Sequence, residues 1–379
     1  MKRTFEEHLD PAITPKRILA LDGGGIRGAL TLGYLQKVER ILRDQYGEDY
    51  LLSDHFDLIG GTSTGAIIAA ALATGKSVKQ ITKLYMDLGG EIFGEKRNAW
   101  NPLETIDYLK AKYNYTALEK GLQSAFGTHI MGSDLIKTGL CIVAKRADTN
   151  SVWPIINHPG GKYYDSKHGK NKNIPIWQAV RASTAAPTYF IPQKLDVGNG
   201  EVGAFVDGGL SMSNNPALRL LMVATLQGFP FKWKMEEDKL SLLSLGTGYH
   251  NFTKPVGAFD NAWKLTWAQN APEMLMQDAN WENQLLLQWM SSSKTAARID
   301  GEVSDLSGDL LSGKALIKYL RYNFEITEND LNGLNLGRNF GSKDVKDLIE
   351  MSNAHNRELL YQIGAADAKR IATDDILTL

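Results

Sequence analysis

The sequence predicts an α/β fold built on a parallel sheet, and two observations carry that expectation. A short apolar strand, a glycine turn and a helix occur twice in the first 75 residues, the pattern of right-handed βαβ units. Further apolar strand runs occur downstream, separated by helical or loop segments.

"RILALD" is the first strand, and "GALTLGYLQKVERILRDQYG" spaces its apolar residues as a helix that stops at Gly47. "HFDLIG" is the second strand. It runs into "GTSTG" and then into the small-residue helix "AIIAAALATG", closed by Gly75. The adjoining "GKS" looks like the end of a P-loop, but Ala70 stands where its first glycine belongs, so the stretch reads as a helix cap. "TGLCIVAKR", "AFVDGG" and "LSLLSLGTG" are further strands, with segments such as "IPIWQAVRAST" between them. Beyond about Ser291 the chain is more polar, with one strand-like run, "YLRYNFEIT", and a helical pattern from Ser342 to Ile371. The expected division is an N-terminal arm over 1–16, a catalytic domain over 17–290 and an appendage over 291–379 that caps, regulates or makes oligomer contacts.

Bulk composition narrows the function classes. With 379 residues, 43% of them hydrophobic and 22% charged, the chain can bury a large core. Its 42 basic residues balance 43 acidic ones, so no global positive field points to DNA or RNA as a partner. Cys141 is the single cysteine, which excludes an intramolecular disulfide and suits a reducing compartment. "MKRTFEEHLDPAITPKR" has no apolar stretch of signal-peptide length, and no later run is apolar enough to span a bilayer. These features predict a cytoplasmic protein.

Two glycine turns compete for the chemistry. Gly23, Gly25 and Gly28 satisfy G-x-G-x-x-G, the spacing of a dinucleotide-binding turn. That reading asks for an acidic residue about 20 positions on, at the end of the next strand, whereas Asp44 to Asp49 still belong to the helix. The second turn, Gly61-Thr62-Ser63-Thr64-Gly65, fits the nucleophile elbow G-x-S-x-G in its strand-to-helix context. Flanking glycines allow the sharp turn from which a serine hydroxyl can attack.

A nucleophilic serine needs a base, and among the histidines only His250 and His355 come late enough for hydrolase order, neither in a persuasive setting. Asp207 has one. It ends the strand "AFVD" and precedes Gly208 and Gly209, which leave room for its carboxylate to approach another turn. An aspartate is a weak base for a hydroxyl, so a Ser63–Asp207 dyad depends on strong oxyanion stabilisation. Gly23, Gly24 and Gly25 would supply it from their main-chain N–H groups, one such donor being worth about 3–4 kcal/mol in a transition state.

"DGGGIRG", "GTSTG", "RASTAAPTYF" and "DGG" followed by "NNPA", in this order, resemble the patatin-like phospholipases, firmly over Arg17 to Asn215 and weakly beyond about Gly248. The resemblance implies a three-layer fold with a mainly parallel central sheet and helices on both faces. It implies Ser63 as nucleophile, Asp207 as proton acceptor, an oxyanion hole along Gly23, Gly24, Gly25, Arg27 and Gly28, and support of the two turns by Gly61, Gly65, Gly208 and Gly209. The implied reaction is hydrolysis of fatty acyl esters through an acyl-enzyme, at the surface of a phospholipid membrane. No cofactor or metal is expected, and no metal-ligand cluster stands in the sequence. "RASTAAPTYF" is expected to pack a helix beside the elbow, ended by Pro187. Arg27 meets a lipid phosphate, orients the oxyanion turn, or is simply an exposed arginine in the first turn of the helix.

Trp263, Trp267, Trp281 and Trp289 lie in one methionine-bearing helical stretch that packs in the core, covers the acyl groove or touches a bilayer interface. The chain also resembles patatin-like effectors of antiphage systems, which implies a cyclic dinucleotide or trinucleotide activator and a homo-oligomer. The alternatives are a storage or interaction protein with incidental esterase activity and a dinucleotide-dependent oxidoreductase.

Overall fold

In the computed structural model, residues 2–94, 115–187, 189–198, 200–251, 255–258, 260 and 264–379 are described. Trp263 lies outside them. Among the described residues, eight strands form one sheet: β1 (Lys16–Leu21), β2 (Leu58–Thr62), β3 (Gly139–Arg146), β4 (Ser151–Ile156), β5 (Gln193–Gly198), β6 (Glu201–Asp207), β7 (Leu240–Leu245) and β8 (Lys318–Tyr322). The longer helices are α1 (Gly28–Tyr46), α2 (Thr64–Ala73), α3 (Val78–Gly94), α4 (Tyr115–Phe126), α5 (Ile176–Ser183), α6 (Ala217–Thr225), α7 (Lys264–Trp289), α8 (Ser342–Ile349) and α9 (Arg357–Asp367).

Strands β3, β2, β1, β7 and β8 lie side by side and parallel, which is the mainly parallel sheet expected of repeated βαβ units. The antiparallel strands β4, β5 and β6 gather at the β3 end. Alternation along the strands makes three layers. Leu19, Leu21, Ile59, Ile142, Leu243 and Leu320 point to one face, where they pack with α1, α2, α5 and α9. Ile18, Ala20, Leu58, Cys141, Val143 and Leu242 point to the other, against α6 and Leu287 of α7.

Residues after 290 add the edge strand β8 and supply Leu360, Ile363 and Ile376 to the first of these cores. Helices α1 and α9 cross closely at two glycines: a Cβ on Gly364 would lie 2.0 Å from the Leu30 carbonyl oxygen. The helical pattern expected from Ser342 to Ile371 is broken, because the chain leaves α8 at Glu350 and re-enters a helix at Arg357. In the gap, the Met351 carbonyl accepts a hydrogen bond from Ile26 N–H at 2.9 Å, a long-range demand that outweighs local periodicity.

Strand β3 sets the register of its two neighbours. Val143 pairs with Thr62 of β2 and the next residue, Ala144, with Asp207 of β6, while β4 pairs along the opposite edge at Pro154 and Trp153. β2 and β6 therefore meet end to end on a single edge of β3, their C-terminal ends converging.

Candidate active site

Ser63 sits at the convergence. It comes directly after β2, with φ 55° and ψ −123°, a conformation that costs a non-glycine residue about 1–3 kcal/mol and marks a sharp elbow. The turn closes only because its flanks lack side chains: a Cβ on Gly65 would lie 2.2 Å from the Leu21 carbonyl oxygen, and one on Gly61 2.2 Å from Gly65. Ser63 N–H donates to Ser183 Oγ at 2.9 Å, and Ser183 Oγ in turn donates to the Val143 carbonyl at 2.5 Å. Helix α2 starts at Thr64, so its positive end lies beside the hydroxyl.

Ser63 Oγ donates to Asp207 Oδ2 at 2.5 Å. The other carboxylate oxygen, Oδ1, accepts from Gly209 N–H at 2.7 Å, and Asp207 N–H bonds the Ala185 carbonyl at 3.0 Å. Gly208 opens the 3₁₀ turn that brings Gly209 round to the carboxylate. Burial pushes the Asp207 carboxyl up to about 6, against the pull of the Ser63 and Gly209 hydrogen bonds. A carboxylate of this basicity can accept a hydroxyl proton better than an exposed aspartate can. Neither of the two late histidines stands in for it, since His250 Nδ1 is paired with the Ile326 carbonyl at 3.0 Å and His355 is exposed.

The first glycine turn faces the same space. Gly23 N–H is spent on the Asn214 carbonyl at 2.9 Å, Ile26 N–H on Met351, and Arg27 N–H on the Gly24 carbonyl at 3.2 Å. Gly28 N–H bonds the Gly25 and Ile26 carbonyls as α1 begins. Among the described residues this leaves the N–H groups of Gly24 and Gly25 as the donors that the turn does not use itself. Gly25 takes φ +59°, and its carbonyl accepts from Tyr85 OH at 2.5 Å. Arg27 also lines the cavity; burial lowers its pKa to about 10 while Glu273, Asp22 and Glu350 oppose that shift. Its Nε has no hydrogen-bond partner among the described residues.

Ser63 and Asp207 line a cavity of about 1040 Å³ whose surface is mostly apolar, to which Ile67, Leu118, Phe190, Leu210, Met276 and Trp281 contribute beside polar groups such as Glu273, Lys346 and Glu350. Helix α7 presents Glu273, Met276, Gln277, Asn280 and Trp281 to it, residues spaced three and four apart on one face. Trp281 meets Tyr249 edge to face at 6.0 Å. Trp267 and Trp289 are exposed. The tryptophan-bearing stretch is thus a cavity wall along one face.

Several residues of the site escape sequence reasoning. Ser183 lies in the quoted "RAST", yet α5 ends there rather than at Pro187, which frees its hydroxyl to bridge the elbow and β3. Asp22 forms a buried ion pair with Arg321, 299 residues away. Thr247 and Asn214 both touch the Gly23 carbonyl. Only the flanking motifs "DGGG", "SNNPA" and "LGTG" hint at Asp22, Asn214 and Thr247.

A family model described as patatin-like phospholipase matches residues 19–221. The chain is 30% identical over 239 residues to a cGAMP-activated phospholipase of Escherichia coli (strain TW11681), covering 61% of this chain and 62% of that relative. It is 33% identical over 223 residues to a cGAMP-activated phospholipase of Vibrio cholerae, covering 56% and 57%. It is also 26% identical over 378 residues to Patatin-17 of Solanum cardiophyllum, covering 94% and 85%. The matches to the two bacterial relatives thus span about three-fifths of their length.

Proposed function

The chain belongs to the patatin-like phospholipase family, and on that premise we propose that it hydrolyses fatty acyl esters of phospholipids through a Ser63–Asp207 dyad. The observation that carries the reading is the 2.5 Å hydrogen bond from Ser63 Oγ to a buried carboxylate of raised basicity, both lining a cavity of mostly apolar surface. Asp207 Oδ2 takes the hydroxyl proton as Ser63 Oγ attacks the acyl carbonyl carbon. The negative charge that forms on the carbonyl oxygen is met by the N–H groups of Gly24 and Gly25. Asp207 then returns its proton to the leaving alcohol, and water repeats the sequence on the acyl-enzyme, releasing the fatty acid and restoring the serine.

Arg27, a cation among the cavity's lining residues, is the group assigned to the lipid phosphate. The apolar lining suits an acyl chain. Activation by a cyclic nucleotide is a second element of the reading, supported by the names of the E. coli and V. cholerae relatives. Action at a membrane surface follows from the substrate class; among the described residues no helix is long and apolar enough to cross a membrane.

The test is hydrolysis of a soluble chromogenic ester and of phospholipid vesicles, with and without cGAMP. Ser63→Ala and Asp207→Asn should each lower turnover at least about a hundredfold while the fold stays intact. A fluorophosphonate probe should label Ser63. Near-normal turnover in either variant, or labelling elsewhere, would overturn the dyad.

A further inference from the structure

Thr247 lies just past the end of β7, and the dyad makes no use of it. In the parallel pairing of β1 with β7, Leu21 stands opposite Leu245, and Asp22 N–H donates to the Leu245 carbonyl at 3.1 Å. Two residues further along, Thr247 lies beside the glycine turn, almost fully buried. Its Oγ1 donates to the Gly23 carbonyl at 3.0 Å, with Asn214 Nδ2 a longer second donor at 3.4 Å.

That carbonyl belongs to the same planar peptide as the Gly24 N–H, and in a trans peptide the two point in opposite directions. Anchoring the oxygen therefore fixes the plane of that peptide and with it the direction of the Gly24 N–H, at a turn that lines the cavity. We propose that Thr247 is a positioning residue that orients the Gly24 N–H toward the oxyanion of the acyl-transfer transition state. The inference rests on the proposed role of Ser63 as nucleophile.

The complementarity of the two residues supports it. A Cβ on Gly24 would lie 2.3 Å from Thr247 Oγ1 and 2.6 Å from Thr247 Cβ, so a side chain at position 24 and the hydroxyl at 247 exclude each other. The other donor is held differently. The Gly24 carbonyl, which shares a peptide with the Gly25 N–H, is anchored by the main-chain N–H of Arg27. Of the two anchors, only the one at Thr247 depends mainly on a side chain and can be removed by substitution.

Thr247→Val keeps the shape and deletes the donor, and Thr247→Ser keeps the donor. With a soluble chromogenic ester, Thr247→Val should lower kcat about tenfold, part of the value of a full oxyanion donor, and leave KM within about twofold. Thr247→Ser should return kcat to within about threefold of the parent, which a packing role for the methyl group would not do. The rate of inactivation by a fluorophosphonate should fall in step with kcat in the valine variant, and the thermal midpoints of both variants should stay near that of the parent. A Thr247→Val enzyme with unchanged kcat, or a serine variant as impaired as the valine one, overturns the inference. Ser63→Ala run in the same assay separates the two readings. If it is inert while Thr247→Val is unimpaired, the positioning role alone fails; if it retains turnover, the nucleophile assignment fails and takes this inference with it.

Discussion

Arg321 on the edge strand β8 reaches past β7 to grip Asp22 at the end of β1, with Nη2 2.6 Å from Oδ2 and Nη1 3.2 Å from Oδ1. Ser244 of the intervening strand accepts from the same Nη1 at 2.5 Å. Asp22 immediately precedes Gly23, so the late part of the chain holds the base of the first glycine turn. Burial lifts the Asp22 carboxyl above its ordinary range despite the pull of Arg321, so the pair is costly to break.

Arg321→Ala is therefore expected to destabilise the protein by about 3–5 kcal/mol, because it leaves Asp22 buried without its charge partner. Urea unfolding reads the loss. The double variant Asp22→Asn/Arg321→Met should recover a substantial part of it, and a single variant as stable as the parent would show that the pair holds nothing.

The Asp207 carboxyl gives two pH effects. In the proposed dyad it acts as a base only when ionised, so kcat/KM should fall as pH drops below about 6, the value to which burial raises the group. For stability the sign is opposite to that of a salt-bridged aspartate. The folded pKa lies above the 3.8 of the free group, so stability is lost as pH rises from there to about 6. A shift of this size corresponds to about 3 kcal/mol, so Asp207→Asn should be inactive and yet gain stability by up to that amount at pH 8. At pH 3.5 the gain should vanish, and equal unfolding midpoints for the two proteins at pH 8 would contradict it.

Gly65→Ala should be severely disruptive, because the new methyl group would meet the main chain of β1 and not a side chain that can move away. We expect a loss of at least about 2–3 kcal/mol together with loss of fluorophosphonate labelling at Ser63. Calorimetry and active-site titration check the two parts separately.

Met212 is 60% exposed, between the cavity residues Leu210 and Asn214. If this rim meets lipid, Met212→Glu should slow vesicle hydrolysis about tenfold by removing apolar contact and adding a charge, and leave turnover of a soluble ester within about twofold. Equal losses on both substrates would point to damage at the site itself.

How much of this was legible in the sequence depends on what each residue answers to. Strands β1, β2, β6 and β7 announce themselves as apolar runs that end at glycines or within two residues of them, and β3 as an apolar run that starts at Gly139. β4 and β5 do not: β4 carries Pro154 and is half-buried at its start, and β5 exposes Lys194 and Asp196. Ser63 and Asp207 could be picked out as candidates because each ends a strand beside glycines. Their pairing is expected from the motifs in combination, but the β3 register that sets it, Val143 against Thr62 and Ala144 against Asp207, is not readable from any local pattern. Gly23 reads as an oxyanion donor from its motif, yet its N–H is taken by Asn214, a partner from the far side of the chain. Thr247, Ser183 and Met351 act through one or two hydrogen bonds to distant main-chain groups, which leave no period or spacing to read.

The meeting of β2 and β6 along β3 has an evolutionary corollary. Ser63 and Asp207 are 144 positions apart in sequence, but one rung of a ladder sets their separation. Loops in the intervening stretch, such as the exposed turn at Lys167 and His168, are free to lengthen, shrink or acquire new binding partners without retuning the proton transfer. A single-residue deletion inside Gly139–Arg146 would instead shift one partner against the other, so drift should be tolerated in those loops and purged from that strand.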